Sequence, residues 1–276
     1  MFRMQEISQK REEIEKLLKE KLTKYYTDTY NRVGLDPTKR IAWRIDEEQF
    51  DADRVEKIEG WMNTEFKPGQ KHLIVGTGTG GLAVVLHKKG CDVHGIEPFD
   101  EANEIVYLKC ELEGMKKENF TKHFAESLPY EDDTFDYLHC YTVLEHVMDV
   151  KKSLEEMVRV LKPGGFAHIH TPDYRFPYEP HYKVLMPPFM PKWMASIYIF
   201  CIGRPTGFFR HIKFFNAKSL NKILYYLPVD WMRVYSQLPD VQANGVGRRN
   251  KVFRFFKLHT EVCKNQEILI RKKERG

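Results

Sequence analysis

The residues best placed to do chemistry lie in His72-Leu-Ile-Val-Gly-Thr-Gly-Thr-Gly-Gly-Leu-Ala83, where an apolar run breaks into Gly76, Gly78 and Gly80 and then resumes. Glycines at this spacing let the backbone turn sharply and approach a ligand that any Cβ would push away. A second apolar run, Asp92-Val-His-Gly-Ile96, ends on Glu97, about 20 residues beyond the first glycine, where a carboxylate can accept hydrogen bonds from both hydroxyls of a ribose. A nucleoside-type ligand is expected. Gly76-x-Gly78-x-x-Gly81 also fits the dinucleotide fingerprint, so the loop alone leaves the ligand open.

Two histidines are candidates for proton transfer. His146 stands in Leu144-Glu-His-Val147, and His181 stands in Thr171-Pro-Asp-Tyr-Arg-Phe-Pro-Tyr-Glu-Pro-His-Tyr182. Pro172, Pro177 and Pro180 restrict the latter segment and hold Tyr174, Glu179 and His181 in fixed positions, as an acceptor site requires.

The elements that must carry these residues alternate. Strands are expected near 72–75, 92–96, 121–125, 135–140 and 166–170, and helices near 80–89, 101–114 and 150–161, the pattern of a parallel sheet covered on both faces. Lys162-Pro-Gly-Gly165 ends the last of these helices. Upstream, residues 7–26 carry Ile7, Ile14, Leu17, Leu18 and Leu22 at helical spacing, and a second helix is expected at about 52–62. Downstream, Asn216 is an N-cap candidate, and 231–236 and 267–270 read as closing strands.

Four stretches in this order resemble the class I S-adenosylmethionine-dependent methyltransferases, particularly the branch of quinone-biosynthesis and other small-molecule enzymes. They are the glycine loop, Ala125-Glu-Ser-Leu-Pro-Tyr-Glu-Asp-Asp-Thr-Phe-Asp136, Val143-Leu-Glu-His-Val147 and Arg159-Val-Leu-Lys-Pro-Gly-Gly165. The resemblance covers about residues 70–172 and disfavours the dinucleotide reading. It implies a doubly wound α/β fold with a mostly parallel seven-stranded sheet and S-adenosyl-L-methionine as cofactor. In that setting Gly76, Thr77 and Gly78 pack against the methionine portion and ribose, Gly80 completes the loop, and Glu97 holds the ribose hydroxyls. The Ala125-Glu126 turn borders adenine, and Tyr141 joins the cofactor contacts from the end of the fourth strand. Ile74 and Phe124 depart from the family pattern, which has acidic residues there, and the departure implies weaker cofactor binding.

The expected organisation is an N-terminal helical extension over 1–66 and a methyltransferase domain over 67–276, with insertions at about 173–215 and 241–263. The first insertion, apolar but broken by prolines, is expected to be a mobile lid exposing Phe189, Trp193, Ile197 and Ile199 between basic flanks, Lys183 and Lys192 before, Arg204, Arg210 and Lys213 after. The second, Arg248-Arg-Asn-Lys-Val-Phe-Arg-Phe-Phe-Lys257, repeats that chemistry.

Composition bounds the partners. Lys and Arg (44) barely outnumber Asp and Glu (39), so the total implies no nucleic-acid surface, and the Asn/Asp-Pro-Pro-aromatic signature of amino-directed base methylation is absent after Cys140. Five dispersed cysteines without a C-x-x-C pair imply neither a zinc site nor a disulfide framework, and no metal is expected. The first residues lack the apolar core of a signal peptide, so a cytoplasmic protein is expected, peripheral to a membrane if the lid meets lipid. The expectation is O-methylation of a small or lipid-linked acceptor, a glycan, quinone precursor or natural product, by a chain that can dimerise. Carbon or nitrogen transfer, or a non-catalytic cofactor-binding scaffold of the same fold, are the alternatives.

Overall fold

The computed structural model describes residues 2–38, 41–42, 47–188, 190–234 and 265–274. Seven strands form one sheet: β1 (Lys71–Val75), β2 (Asp92–Ile96), β3 (Phe120–Thr121), β4 (Phe135–Tyr141), β5 (Leu161–Pro172), β6 (Val229–Arg233) and β7 (Asn265–Lys272). Their order is β3-β2-β1-β4-β5-β7-β6, with β7 antiparallel to both neighbours and the other pairs parallel. Order reverses between β1 and β4, the switch point where open α/β sheets bind ligands beyond the strands' carboxyl ends.

The helices are α1 (Phe2–Asn31), α2 (Glu47–Met62), α3 (Gly81–Lys88), α4 (Asp100–Glu113), α5 (Val150–Val160), α6 (Lys192–Cys201) and α7 (Ala217–Tyr225). Successive strand side chains point to opposite faces, so Leu73 and Val75 enter one core layer with Leu154, Met157 and Leu220, while Ile74 enters the other with Val55, Ile58 and Leu86. Asp149 caps α5 by accepting from Lys152 N–H at 3.0 Å, and Asn216 caps α7 in a reciprocal box with Ser219.

Several expected boundaries shift. The third strand is confined to Phe120–Thr121 because only Gly95 and Ile96 of β2 face it, and the chain then turns through a Ser127 N–H to Phe124 carbonyl bond. The Lys162-Pro-Gly-Gly165 stretch lies within β5 as a bulge, where pairing skips from Phe135–Leu161 to Tyr137–Phe166. The first closing strand begins at Val229 and pairs through Arg233. Residues 241–263 lie outside the described residues.

The N-terminal helix and the first insertion are not separate appendages. Leu22, Tyr26 and Tyr30 of α1 share a buried cluster with Tyr174, Tyr182, Met186, Ala195, Ile199 and Phe209. One residue expected to be exposed on the flap is not: Ile199 is fully buried, one turn after buried Ala195, in the cluster that also holds Tyr182 and the α1 residues. Trp193 and Ile197 do lie exposed on the other side, and Phe189 is outside the described residues. Three of the basic flanks serve the cap itself, Lys192 donating to the Arg210 carbonyl at 3.4 Å, Arg204 to the Tyr182 carbonyl and Lys213 to the Met148 carbonyl. No helix among the described residues is long and apolar enough to cross a membrane.

Candidate active site

The three glycines of the β1–α3 loop have positive φ and different neighbours. A Cβ on Gly76 would lie 2.3 Å from Val143 Cγ2, and one on Gly80 would lie 3.1 Å from Val106 Cγ2, so these two let protein pack against protein. A Cβ on Gly78 would meet nothing within 4 Å. Gly78 is therefore the glycine that opens onto space for a ligand.

Thr77 and Gly76 both donate their N–H to the Ile96 carbonyl at 2.9 Å, and the Thr77 hydroxyl donates to it at 3.2 Å, which ties the loop to the end of β2. Glu97 follows directly. Its two carboxylate oxygens accept from Gly78 N–H at 2.9 Å and Phe99 N–H at 3.3 Å, and burial raises its pKa against those two bonds. A carboxylate has about four acceptor positions, so two remain for ribose hydroxyls. Asn103, which sequence reasoning missed, donates to the Glu97 carbonyl at 2.8 Å and fixes that backbone.

The remaining expected cofactor residues separate. Ala125 is buried beside Leu128 in the sheet core, and Phe124 stands at its rim, 59% exposed. Glu126 Oε1 accepts from Met148 N–H at 2.6 Å and Asp149 N–H at 3.2 Å, joining the turn after β3 to the loop after β4. The Tyr141 ring lies between the Arg54 guanidinium at 3.6 Å and the His170 ring at 3.9 Å, so both its faces are taken and only its backbone lies at the strand end. Ile74, where the family has an acid, is packed in the layer beneath α2.

His146 and His181 come together across the cleft from the loop after β4 and the cap. Their Nε2 atoms are 3.2 Å apart, and Phe208 flanks both rings. Glu179, fully buried, bonds His181 Nδ1 at 2.7 Å through Oε1 and accepts from Tyr182 N–H at 2.6 Å through Oε2. Burial lowers the His181 pKa, but the Glu179 hydrogen bond and the charges of Glu179 and Glu145 more than offset it and leave it raised.

Glu145, also fully buried, accepts from the Thr171 hydroxyl at 3.1 Å through Oε2, while Oε1 has no hydrogen-bond partner and burial pushes its pKa up to about 7. The Tyr174 hydroxyl is a second buried group without a partner, close enough to Glu179 and Glu145 to feel their charge. Thr142, which begins this loop, has φ 55, a left-handed backbone that is costly for a β-branched residue and is found where function demands it. Sequence reasoning passed over Glu145, although an acid set between Leu144 and His146 in an apolar stretch signalled a buried carboxylate.

Comparison with known proteins gives the same family. Residues 43–225 match a family described as a methyltransferase domain. The uncharacterized methyltransferase YcgJ of Bacillus subtilis is 31% identical over 101 residues, 37% of this chain and 40% of that protein. Its crystal structure superposes with a TM-score of 0.55 at 17% identity, over 82% of this chain and 100% of that one. Phosphoethanolamine N-methyltransferase 2 of Caenorhabditis elegans is 34% identical over 37% of this chain and 23% of its own, and ubiquinone biosynthesis O-methyltransferase of a Shewanella species is 34% identical over 37% and 44%. The matched segment thus covers less than half of each of these relatives. With the family match spanning more than half of the chain, from β1 through β5 and on to α7, the chain belongs to the class I S-adenosylmethionine-dependent methyltransferases.

Proposed function

We propose that this chain transfers a methyl group from S-adenosylmethionine to an oxygen of a small or lipid-linked, hydroxyl-bearing acceptor. The cofactor fits the residues present: Gly78 leaves an uncovered cradle, Glu97 keeps two acceptor positions for ribose, and both lie beyond the carboxyl ends of β1 and β2. Bound there, S-adenosylmethionine supplies an electrophilic methyl on a sulfonium sulfur. The protein's task is to align an acceptor with it, and alignment alone can contribute up to roughly 7–11 kcal/mol.

The observation that carries the choice of oxygen is the His181–Glu179 pair. A neutral amine or an ionised acceptor needs little help with its proton, whereas a hydroxyl does. Glu179 holds His181 Nδ1–H, which leaves the Nε2 lone pair to take the acceptor's proton. As the acceptor oxygen takes the methyl group that bound cofactor would supply, its proton would move to His181 Nε2. Glu179 and the nearby Glu145 stabilise the resulting imidazolium. Such a base adds about 10²–10⁴-fold.

A lipid-linked acceptor draws support from α6, whose exposed Trp193, Ile197 and Phe200 repeat at helical spacing on the face opposite Ala195 and Ile199. The test incubates the protein with methyl-labelled cofactor and fractionated extract and follows label into lipid, soluble glycan, quinone or nucleic acid. Label in a methyl ether, with His181→Ala lowering turnover at unchanged cofactor affinity, supports the reading. Label in an amine or on carbon removes the choice of oxygen.

A further inference from the structure

We propose that Glu145, His146 and His181 form a binding site for one divalent transition-metal cation of the zinc class. One ligand atom from each of the three lies within 4.8 Å of the other two. Nε2 of His181 is 3.2 Å from Nε2 of His146 and 4.0 Å from Glu145 Oε1. Bonds of about 2.0–2.2 Å in tetrahedral geometry place ligand atoms roughly 3.4 Å apart, so small side-chain rotations close the site.

Three features point to a cation here. Glu145 Oε1 is fully buried and has no hydrogen-bond donor, an arrangement that leaves a carboxylate oxygen facing the two imidazole nitrogens without compensation. With its Nδ1–H held by Glu179, His181 presents a lone pair at Nε2, and His146 presents its own Nε2 to the same point. A single proton shared between the rings satisfies that pair and leaves Glu145 Oε1 as it is. A cation satisfies all three atoms at once.

The Glu179–His181 bond is also the carboxylate–histidine arrangement that orients a ligating imidazole and raises its basicity. Two nitrogens and one oxygen suit zinc and its neighbours rather than magnesium or calcium, which take oxygen ligands. Three protein ligands leave a fourth position free, as in catalytic rather than structural sites, and exposed His146 places that position on the open side.

Cation binding itself is independent of the methyl-transfer reading; only its consequence rests on that reading. A cation held there would offer its free position to the acceptor's hydroxyl oxygen and make that proton easier to lose to water, and His181 would then serve as a ligand in place of its role as base. The acceptor class would then narrow to molecules whose hydroxyl can ligate a cation, such as a phenol or a sugar hydroxyl.

The test titrates Zn²⁺ into the chelator-treated full chain by calorimetry and follows Co²⁺ by its visible absorption. One equivalent per chain is expected, with a Co²⁺ band of low-symmetry, low-coordinate type. His146→Gln, on the exposed rim, and Glu145→Gln, which keeps shape and the Thr171 bond, are each expected to abolish stoichiometric binding. Glu179→Gln is expected to weaken it about 10–100-fold. His87→Gln, remote on α3, is the control for surface histidines, and circular dichroism confirms that each variant folds. Wild-type binding no stronger than that of the Glu145→Gln, His146→Gln double variant overturns the proposal. S-adenosylmethionine titrated into the same samples reads the cofactor site separately, so its loss counts against the proposed function and not against the cation.

Discussion

The Tyr26 hydroxyl of α1 lies 2.9 Å from the Thr79 hydroxyl of the glycine loop, a buried hydrogen bond between positions 53 residues apart. It links the N-terminal helix to the loop that cradles the cofactor. Surface ion pairs Lys10–Glu111 and Lys21–Glu104 lay the same helix along α4. Tyr26→Phe keeps the ring in its cluster and removes this bond, which is worth about 1 kcal/mol net. Cofactor affinity is expected to fall roughly fivefold, with little change in melting temperature. Calorimetric titration checks it; an unchanged affinity uncouples α1 from the loop.

Gly76 and Gly78 are expected to fail in different ways when replaced by alanine. Both have positive φ, which costs an L-residue roughly 1–2 kcal/mol. At Gly76 the new methyl also collides with Val143, so Gly76→Ala is expected to lower the melting temperature further, and Val143→Ala in the same chain is expected to restore part of the loss. At Gly78 the methyl enters open space, so Gly78→Ala is expected to lose cofactor binding well beyond its smaller loss of stability. Parallel melts and titrations separate the two; identical profiles contradict the division of roles.

Glu97→Ala is expected to weaken S-adenosylmethionine binding by about 1.5–3 kcal/mol, the worth of hydrogen bonds to a charged acceptor, or roughly 10- to 150-fold. The variant also strands the Gly78 and Phe99 N–H groups, so Glu97→Gln, which retains an acceptor, is expected to fall between. NAD is expected not to bind the wild type, and a dissociation constant for S-adenosylmethionine that ignores both substitutions removes Glu97 from the site.

Local signals carried the parts of this architecture that were legible in sequence. The glycine loop, the acid ending β2 and the Asn216 cap each depend on residues a few positions apart, and each stands where the spacing put it. What escaped depends on distant pairing. The third strand is short because β2 offers only two residues to pair with, and Ile199 of α6 turns inward into a cluster drawn from α1, residues 174–186 and Phe209. Tyr141 reads as a cofactor contact from its place at a strand end, and only the arrival of Arg54 from α2 and His170 from β5 shows its ring enclosed. Glu145 gains its chemistry from burial beside Thr171 and His181, neither of which is near it in sequence.

His72 is expected to make stability fall as pH drops below neutrality, against an opposite contribution from Glu145, whose raised pKa lets the native chain take up a proton first. His72 is fully buried, with Nδ1 3.0 Å from His139 Nε2, and its pKa is held down to about 4, chiefly by burial against the opposing charge of Asp136. A depressed pKa means that the unfolded chain binds the proton more readily. The contribution is therefore complete above about 6.5 and is lost as pH falls from there to about 4, amounting to roughly 3 kcal/mol. His139, also buried, is shifted in the same direction and adds to the slope. Denaturant unfolding at a series of pH values between 7 and 4 measures it. His72→Phe, set among Phe66 and Tyr137, is expected to change the slope by about one proton relative to the wild type; superimposable profiles refute the assignment.

The outer face of α6 bears on where the acceptor resides. Trp193, Ile197 and Phe200 are 65%, 55% and 74% exposed, and Lys192 and Arg210 are exposed cations of the same cap, Lys192 also donating to the Arg210 carbonyl. Burying ~200 Å² of such a face yields about 5 kcal/mol at ~25 cal/mol per Å², before ordering costs, enough to hold the protein at a lipid surface only with help from charge. Sedimentation with anionic vesicles is therefore expected at low salt and lost at high salt, and Trp193→Ser with Ile197→Ser is expected to abolish it at both. The inner residues Ala195 and Ile199 remain packed in that variant, so the fold and cofactor affinity are expected to hold. Absence of sedimentation under every condition makes α6 an ordinary cap helix and directs the search for the acceptor to soluble hydroxyl compounds.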